Sequence, residues 1–500
     1  MSTTAKKNGK GNGKLEFVGQ ILDNVHGFIP YTEAEKKIMK TQLFSRLQGI
    51  KQLSVVNWVF PGSEHTRYIH SLGVMHIADK MAMTLGLSNR ERRILRLAGL
   101  LHDIGHYPLS HVGETPYHRN IGPDVMADEK AFCKAINEDI IKRIDEFDIA
   151  PKKDLMKKST RLHHEAVGGA VVLHDTEIRD ILVDELGEKA PGIISDIITG
   201  RVERASVTDP LLVQIMHSEL DADGIDYIMR DSASAGTSFG ACEIDQLIRC
   251  LTIGTYKGNR VLCVKPKGIP AADQYIINKF FHYSQVVFNR HIVVSEWMAE
   301  QAINWMRLNN EIFPDDQTLL NWTKRGGGED YLAFHDNKFW NALDLIRSGK
   351  TSKPAPEYVK WLCNYLLTHQ EPDAAKKHEI RIVSNNPTEI QKRLRKAETY
   401  KSNYHHEDWI TIMVERTMSK QIPEDQFAKL VGMNADDANK DGEIKQKWVR
   451  RAMECITVRE PVSGKVHVLC DDERSLMRQL YNQTVVILRS YEFPKKNEKK

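Results

Sequence analysis

The chain has 500 residues, of which 41% are hydrophobic and 27% charged, and its formal net charge is +3. This length predicts one large domain with an appendage, or two to three domains. The small net charge gives no global argument for nucleic-acid binding, although local basic patches leave nucleic acid open as a partner. Seven cysteines without a C-x-x-C pair favour reduced thiols and hence a cytoplasmic protein. No apolar run approaches the ~18 residues of a membrane span, so we expect no membrane partner.

The order of predicted elements indicates a mainly α fold with short β hairpins and an α+β C-terminal lobe. Residues 1–14 are rich in Lys, Gly and Asn, and we expect a disordered basic tail rather than a signal peptide. Residues 15–370 form the predicted body, and residues 371–500 the predicted C-terminal lobe, with an oligomerisation or regulatory role. β hairpins are predicted at 251–264 and 456–469. Apolar periodicity predicts helices at Glu35–Leu53, Ser71–Leu85, from Asn89 onward, 130–149, 164–198, Leu211–Arg230 and Ala271–Met306.

The stretch from Leu97 to His111 carries the densest chemistry in the chain. An apolar helical run ends at His102 and Asp103, and His106 and His111 follow within ten residues. Burying imidazole and carboxylate groups is costly unless each group is paired or bound to a cation. A set of nitrogen and oxygen ligands suits Zn, Mn, Fe or Ni. The alternative is that these residues cap a helix end and face water.

Three further blocks add polar groups to apolar helices. His70 lies in R-x-x-H-S-L-G-V at the start of one predicted helix, and His164 precedes a helix of small residues. Asp223 and Asp226 are three residues apart in another predicted helix, so their side chains share a face. Taken singly, His70 is more typical of a histidine that is hydrogen-bonded within the protein or exposed to water. Taken singly, the two acids are more typical of an exposed helical face.

Together, the blocks R-x-x-H-S-L-G-V, L-L-H-D-I-G-H-x-P-x-S-H, H-E and D-x-x-D-Y-x-x-R-D resemble the HD-domain phosphohydrolases. The resemblance is strongest to the deoxynucleoside triphosphate triphosphohydrolases and covers roughly residues 40–300, and we expect no SAM domain ahead of the body. It implies a helical HD-domain body and metal-dependent attack at the α-phosphorus of a dNTP, which releases deoxynucleoside and inorganic triphosphate. It also implies a nucleoside triphosphate substrate and a homo-oligomer of two, four or six chains.

The resemblance assigns roles to individual residues of this sequence. Around a divalent ion (Mn, Mg, Fe, Zn or Ni), the implied ligands are His70, His102, Asp103 and Asp223. The implied catalytic groups are His106, His111 and His164, with Glu114 spaced to orient His111 or raise its pKa. The implied substrate contacts are Arg67 on a phosphate, Gln52 and Asp231 on the sugar 3′-hydroxyl, and Tyr227 beside the sugar. A bound metal lowers the pKa of water and polarises a phosphoryl oxygen, which agrees with these roles.

The chain departs from the family pattern at several positions. Glu114 stands where the family usually has Asp, and Gly224 stands where it has a phosphate-contacting lysine. Ile292 stands where it has a tyrosine that excludes ribose. Lys40 and Gln48 replace the acid and the arginine that recognise an activating guanine, so guanine-nucleotide activation is not carried over to this sequence. Nearby candidates to compensate at the sugar are His282, Tyr283 and Arg290.

Two alternative functions remain open on the sequence. The same metal site would serve hydrolysis of another phosphoester, such as an NTP, a cyclic nucleotide or a single-stranded nucleic acid end. A non-catalytic nucleotide-sensing or nucleic-acid-binding module is the other alternative, for which the basic tails and Arg393–Lys396 are weak support. The sequence contains no G-x-x-x-x-G-K-[ST] loop, no G-x-G-x-x-G fingerprint and no cysteine spacing typical of zinc, which excludes those classes.

Overall fold

The computed structural model describes residues 14–118, 126, 129–148, 162–201, 209–309, 311, 313–369, 374–398, 409–434 and 442–492. The predicted basic tail therefore lies outside the described residues, apart from Lys14. Helices form most of the described chain, which confirms the predicted mainly α fold. Within these ranges, no helix is both long enough and apolar enough to span a bilayer.

The helices fall into two groups along the chain, and the first group carries most of the predicted site residues. It consists of α1 Glu33–Lys40, α2 Gln42–Ser45, α3 Arg67–Thr84, α4 Asn89–Leu101, α5 His111–Glu114, α6 Glu129–Asp145, α7 His164–His174, α8 Thr176–Leu186, α9 Ala190–Ile198, α10 Pro210–Met216 and α11 Ala222–Ala235. The second group consists of α12 Ile244–Arg249, α13 Ile269–His282, α14 Arg290–Asn309, α15 Asp316–Lys324, α16 Gly328–Leu332, α17 Asp336–Arg347, α18 Glu357–Thr368, α19 Pro387–Glu398, α20 Glu424–Val431, α21 Gly442–Glu454 and α22 Met477–Leu480.

Three small sheets accompany the helices. The strands are β1 Gly19–Asp23, β2 Gly27–Tyr31, β3 Leu251–Tyr256, β4 Asn259–Val264, β5 Ala374–Ser384, β6 Trp409–Thr417, β7 Thr457–Arg459, β8 Val466–Val468 and β9 Thr484–Glu492. Strands β1 and β2 form a hairpin, and the other sheets have the orders β3-β4-β7-β8 and β5-β9-β6. Both predicted hairpins are present, and β4 pairs in parallel with β7 through Cys263 and Thr457. The body and the C-terminal region therefore share one sheet.

Several predicted long helices are shorter in the structure. The prediction of one helix over 164–198 was wrong, because Asp175 caps a new helix by accepting from the backbone N–H of Ile178. The predicted helix Leu211–Arg230 is divided in the same way, since Asp221 accepts from the backbone N–H of Gly224. Short polar side chains compete with the helix for its backbone N–H groups, and apolar periodicity does not register this competition. Two other predicted helices are interrupted, one after Lys40 and one by the π-helical segment Tyr283–Val287.

Helices α3 and α4 pack closely enough to join two of the sequence motifs. Ser88 and Glu91 form a capping box that starts α4. Near the end of α4, a Cβ at Gly99 would lie 3.0 Å from the backbone of Met75 on α3. Glycine therefore permits a close approach that a larger residue would prevent. This close packing brings the imidazole ring of His70, on α3, near that of His102, which follows α4.

Candidate metal and active site

The four predicted metal ligands converge from α3, α4 and α11. His70 lies in the first turn of α3, and its Nε2 is 2.9 Å from Oδ1 of Asp223 and 3.7 Å from Oδ2 of Asp103. His102 follows the end of α4, and its Nε2 is 3.3 Å from Oδ1 of Asp103 and 3.8 Å from Oδ1 of Asp223. The two imidazole rings are 5.2 Å apart between centroids. The structure therefore brings together residues separated by up to half of the body.

The free ring nitrogens of this cluster fit a divalent cation. The Nδ1 of His102 donates to the carbonyl of Gly99 at 2.8 Å, which leaves its Nε2 as an acceptor. Neither this Nε2 nor that of His70 has a well-formed hydrogen bond to the part of the chain that the structure describes. Two bare imidazole nitrogens facing two carboxylates are the donor set of a first-row divalent metal site. These residues could therefore hold a divalent metal ion.

The buried carboxylate of Asp226 contacts the second ring nitrogen of His70. The Nδ1 of His70 lies 2.7 Å from Oδ2 of Asp226, one helical turn along α11 from Asp223. His26 contacts the same carboxylate through Nε2 at 2.5 Å, and Arg230 donates to it from Nε at 2.9 Å. A carboxylate on the second ring nitrogen fixes the orientation of a metal-binding histidine and increases its basicity.

The charges of this cluster compensate one another. Burial opposes a positive charge on His70, but the carboxylates of Asp223 and Asp226 raise its pKa to about 10. Burial also opposes ionisation of Asp103, but the Arg67 guanidinium lowers the pKa of that carboxyl well below its ordinary value. The carboxylates of the cluster therefore favour positive charge between them, and a divalent cation bound there would supply it.

A second group of imidazoles lies beside the first. The Oε2 of Glu114 is 3.2 Å from Nδ1 of His111 and 2.9 Å from Nδ1 of His164. Its Oε1 accepts from the backbone N–H of His164 at 3.0 Å. The ring of His106 stacks on that of His164 with centroids 4.1 Å apart, and its Nε2 is 3.5 Å from Oδ1 of Asp103. The spacing of Glu114 predicted only its contact with His111, and the structure adds the contact with His164.

The two stacked imidazoles prefer different protonation states. Burial, followed by the charge of Arg67, lowers the pKa of His106 well below its ordinary value. Burial acts in the same direction on His164, but the charge and hydrogen bond of Glu114 raise the pKa of His164 above its ordinary value. Titratable groups whose pKa values are separated in this way suit opposite roles in proton transfer.

Arg67 connects the metal cluster to the turn that precedes α5. Its Nε donates to Oγ of Ser110 at 2.9 Å, and its Nη1 donates to Oδ2 of Asp103 at 2.9 Å. The guanidinium is buried and held in one orientation by these two contacts. It therefore presents a fixed positive charge next to the cluster, a geometry suited to a phosphate oxygen.

The turn that carries Ser110 is held in an unusual conformation. Leu109 and Ser110 both have a φ of 58°, in the left-handed region that residues other than glycine rarely adopt. Oδ1 of Asp336 accepts from the backbone N–H of Leu109 at 2.7 Å, and its Oδ2 accepts from that of Lys51 at 2.9 Å. A residue far along the chain therefore stabilises the turn between His106 and His111.

The predicted substrate contacts gather around Asp231. Its Oδ1 is 2.8 Å from Nε2 of His65, and its Oδ2 is 2.9 Å from Nε2 of His282. The backbone N–H of Gln52 donates to the carbonyl of His65 at 3.0 Å, and the Tyr227 ring lies 5.6 Å from the His282 ring. Gln52, Asp231 and Tyr227 therefore belong to one neighbourhood.

The three candidates to compensate at the sugar and the departure at Ile292 have different surroundings. His282 contacts Asp231, whereas Arg290 donates from Nε to its neighbour His291 at 2.9 Å. The ring of Tyr283 is covered by the guanidinium of Arg416, 3.9 Å from the ring centroid. Ile292 is buried in a small apolar cluster with Val56, Phe239 and Val286.

The sequence interpretation overlooked several residues that contact the site. Asp226 was quoted only as part of a helical face, although its spacing of one turn from Asp223 was a usable signal. His26 and His65 carried no signal, because each reaches the site from a distant part of the chain. Arg230 stands in the quoted motif D-x-x-D-Y-x-x-R-D, and its spacing of four residues from Asp226 was a usable signal.

The comparisons with known proteins agree with the motifs. Residues 67–199 match the model of the HD domain family. The uncharacterized protein YwfO of Bacillus subtilis is 26% identical over 284 residues, which are 56% of this chain and 53% of that protein. A deoxynucleoside triphosphate triphosphohydrolase SAMHD1 homolog of Dictyostelium discoideum is 29% identical over 238 residues, which are 46% of this chain and 38% of that protein.

A solved structure extends the comparison to the fold. A hypothetical protein from Aquifex aeolicus matches 95% of this chain and 96% of its own length, with a TM-score of 0.63 and 20% identity. By contrast, the chain spans about half the length of the curated relatives it matches. The predicted resemblance to the HD-domain phosphohydrolases is thus confirmed: residues 67–199 match the HD domain family, and a deoxynucleoside triphosphate triphosphohydrolase homolog is among the proteins similar to this chain.

Proposed function

We propose that this protein is a metal-dependent nucleotide triphosphohydrolase that converts a dNTP and water into a deoxynucleoside and inorganic triphosphate. The observation that carries the proposal is the meeting of two bare Nε2 atoms, of His70 and His102, with the carboxylates of Asp103 and Asp223. The Dictyostelium relative, named as a deoxynucleoside triphosphate triphosphohydrolase, supports the substrate class.

In this proposal the four ligands hold a Mn, Fe, Zn, Ni or Mg ion, which when bound lowers the pKa of water and polarises a phosphoryl oxygen. Arg67, held by Ser110 and Asp103, neutralises charge on a phosphate. His164, whose proton is stabilised by Glu114, donates that proton to the leaving 5′-oxygen of the nucleoside. The neutral ring of His106 orients the attacking water, and His111 shares the Glu114 carboxylate and assists proton transfer.

In this proposal the sugar is held by the residues around Asp231. Asp231 is oriented by His65 and His282 and has lone pairs left for a sugar 3′-hydroxyl, with Gln52 and Tyr227 beside it. Because both carboxylate oxygens already have a histidine partner, the acid is restricted to one orientation. Such restriction favours binding, since little side-chain freedom is lost when the substrate arrives.

Hydrolysis of NTPs is the second candidate function, and Ile292 is the observation that favours it. Its side chain is 1% exposed and packs in an apolar cluster. A buried aliphatic side chain supplies no polar group against a ribose 2′-hydroxyl. Selectivity for deoxyribose would then depend on other groups of the sugar pocket.

We further propose a cytoplasmic homo-oligomer in which residues 15–370 form the catalytic body and residues 371–500 contribute to assembly or regulation. The resemblance to the HD-domain family supports assembly into two, four or six chains. Light scattering of the purified chain would measure the number of chains, and a monomer at all concentrations would contradict this part of the proposal.

The function is tested by incubating the purified protein with each dNTP and NTP in the presence of Mn²⁺ or Mg²⁺. Products are separated by ion-exchange chromatography, which distinguishes inorganic triphosphate from monophosphate. We expect deoxynucleoside and triphosphate, and a loss of at least ~10³-fold in Asp103→Ala. The matched control is Asp245→Ala, because Asp245 is exposed and pairs with Lys80 away from the site.

The products separate the alternatives. Turnover of NTPs as readily as dNTPs would support the second candidate. Monophosphate products would assign the site to a different phosphoester. No turnover of any triphosphate, singly or in mixtures that supply an activator, would contradict the proposed function and favour a nucleotide-sensing or nucleic-acid-binding role.

A further inference from the structure

Lys279 on α13 is a buried cation without a matching anion. Lys279 is only 8% exposed. The nearest hydrogen-bond acceptor of its Nζ is the carbonyl of Glu219 at 3.5 Å. Throughout the described ranges, it forms no ion pair. Its remaining close neighbours are aromatic, since Nζ lies 5.6 Å from the ring centroid of Tyr227 and 5.7 Å from that of Tyr275. Burying a charge in this way is costly unless an anion arrives to compensate it.

The ammonium group lies close to Gly224, which follows the candidate metal ligand Asp223 in the chain. A Cβ at Gly224, the residue after Asp223, would stand 3.4 Å from Nζ of Lys279 and 2.7 Å from Oδ1 of Asp221. It would also meet the hydroxyl of Tyr275, which is fully buried and has no hydrogen-bond partner among the residues that the structure describes. A side chain at position 224 would overlap these atoms. The space is occupied instead by the ammonium group of Lys279 and the hydroxyl of Tyr275, both on α13.

The C-terminal region adds further positive charge. Arg416, at the end of β6, covers the ring of Tyr283, and Lys420 follows a few residues later. Burial lowers the pKa of Lys279, and the charges of Lys420 and Arg416 act in the same direction. A buried cation on which two further positive charges act is typical of a site that binds an anion.

The nearby acid is already engaged. Asp221 is the carboxylate that acts most strongly on Lys279. However, its Oδ1 accepts from the backbone N–H of Gly224 at 2.7 Å, and its Oδ2 accepts from that of Ser218 at 3.0 Å. The carboxylate of Glu219 is engaged as well, because it accepts from Oγ of Ser419 and from the backbone N–H of Lys420.

We propose that Lys279 and Arg416 bind the polyphosphate of the substrate, so that the C-terminal region completes the phosphate pocket. This inference rests on the proposed function, because it assigns the missing anion to a nucleoside triphosphate. The ammonium group beside Gly224 binds phosphate oxygens of the substrate, and the Tyr275 hydroxyl donates a hydrogen bond to the same phosphate. The guanidinium of Arg416 reaches the outer phosphates from the rim, where Tyr283 orients it.

A purely structural role for Lys279 makes the opposite prediction about stability. Removing one partner of a buried ion pair destabilises a protein, whereas removing an uncompensated buried charge stabilises it. Lys279→Met keeps the length and apolar stem of the side chain. We therefore expect a higher Tm for this variant together with weaker anion binding. If Lys279 instead made a contact that stabilises the fold, Lys279→Met would lower both the Tm and the affinity for the anion.

The experiment measures binding of inorganic tripolyphosphate to the full chain by calorimetry in EDTA, followed by kcat and KM for a dNTP with Mn²⁺. We expect at least about tenfold weaker tripolyphosphate binding in Lys279→Met and in Arg416→Gln. We expect KM to rise by a similar factor and kcat to change by less than about threefold. Lys279→Arg should recover most of the affinity. The matched control is Lys447→Met, because Lys447 pairs with Glu443 on α21.

The outcomes distinguish this inference from the proposed function. If the wild type hydrolyses no triphosphate but binds tripolyphosphate through Lys279, the proposed function fails and the anion site stands. If the wild type hydrolyses dNTPs while both variants retain affinity and KM within about twofold, the inference fails and the function stands. A lower Tm in Lys279→Met with unchanged binding in Arg416→Gln would also overturn the inference.

Discussion

Asp226 holds the Nδ1 atom of His70 at 2.7 Å, one helical turn away from the acid that faces the other nitrogen of the same ring. The carboxylate is fully buried and also contacts His26 and Arg230. An imidazole held between two acids has a fixed ring plane and a fixed direction for its Nε2 lone pair. The orientation of His70, a candidate metal ligand, therefore depends on a residue that is not itself a candidate ligand.

Replacement of Asp226 by Asn should weaken metal binding without removing a ligand. We expect affinity for Mn²⁺ to fall by about 10–100-fold in Asp226→Asn, because the amide does not stabilise the basic ring as a carboxylate does. Titration of the metal-free protein by calorimetry measures the effect. Asp245→Asn is the control, since Asp245 is exposed and pairs with Lys80. Equal affinity in the two variants would contradict the supporting role of Asp226.

Replacement of Glu114 by Gln should move the pH profile of the reaction. Glu114 raises the pKa of His164 against the effect of burial, and His164 is the proposed proton donor. Activity that needs the protonated ring is lost as the pH rises through that pKa. Glu114→Gln lowers the pKa, so the alkaline limb of kcat should shift to lower pH, with a loss of about 10–100-fold at pH 7.

The control for this experiment is Glu329→Gln, an exposed acid in the first turn of α16. Its pH profile should match that of the wild type. If Glu114→Gln reduces the rate equally at every pH, Glu114 acts by positioning alone and the assignment of His164 as proton donor is wrong.

The same substitution at two glycines should change stability in opposite directions. In Gly224→Ala, the new Cβ would collide with the Tyr275 hydroxyl and lie 2.7 Å from Asp221, which should destabilise the fold by about 1–3 kcal/mol. In Gly192→Ala, the Cβ meets no heavy atom within 4 Å in the described structure, and helix α9 should gain about 0.5–1 kcal/mol. Denaturant unfolding measures both. Adding Tyr275→Phe should recover part of the loss at Gly224, and an unchanged stability in Gly224→Ala would contradict the close packing.

Asp336 should make the unfolding free energy depend on pH in an unusual direction. Burial raises its pKa to about 6, although the backbone N–H groups of Leu109 and Lys51 oppose that shift. Between the ordinary value of 3.8 and about 6, the folded chain retains a proton that the unfolded chain has released. The stabilisation from this group is therefore complete below the unfolded pKa and is lost as the pH rises through the folded one.

We therefore expect Asp336→Asn to gain stability relative to the wild type as the pH rises from 4 to 7, by up to about 3 kcal/mol. Asn keeps an acceptor for the N–H of Leu109 but has no charge to bury. Urea unfolding of both proteins across this range measures the difference. A difference that does not vary with pH would mean that Asp336 is ionised in the folded protein over the whole range.

Much of the site was predictable because its chemistry is encoded in short segments. His102 and Asp103 are adjacent, and Glu114 is one helical turn from His111, so spacing alone placed them together. The helical body was predictable for a similar reason, since apolar periodicity reports which face of a segment is buried. Helix ends were less predictable, because caps such as Asp175 and Asp221 act through single hydrogen bonds.

The sequence by itself therefore determined the fold class, the family resemblance and the identity of the candidate ligands. Only the tertiary structure decided how they are supported: His26 reaches the carboxylate of Asp226 that also contacts His70, and Lys279 and Tyr275 lie beside Gly224. The pairing of β4 with β7 likewise joins segments that are far apart in the chain. Local spacing specifies which side chains share a helix face, whereas contacts between distant segments depend on how those faces pack. Packing is a property of the whole chain, and no short segment contains it.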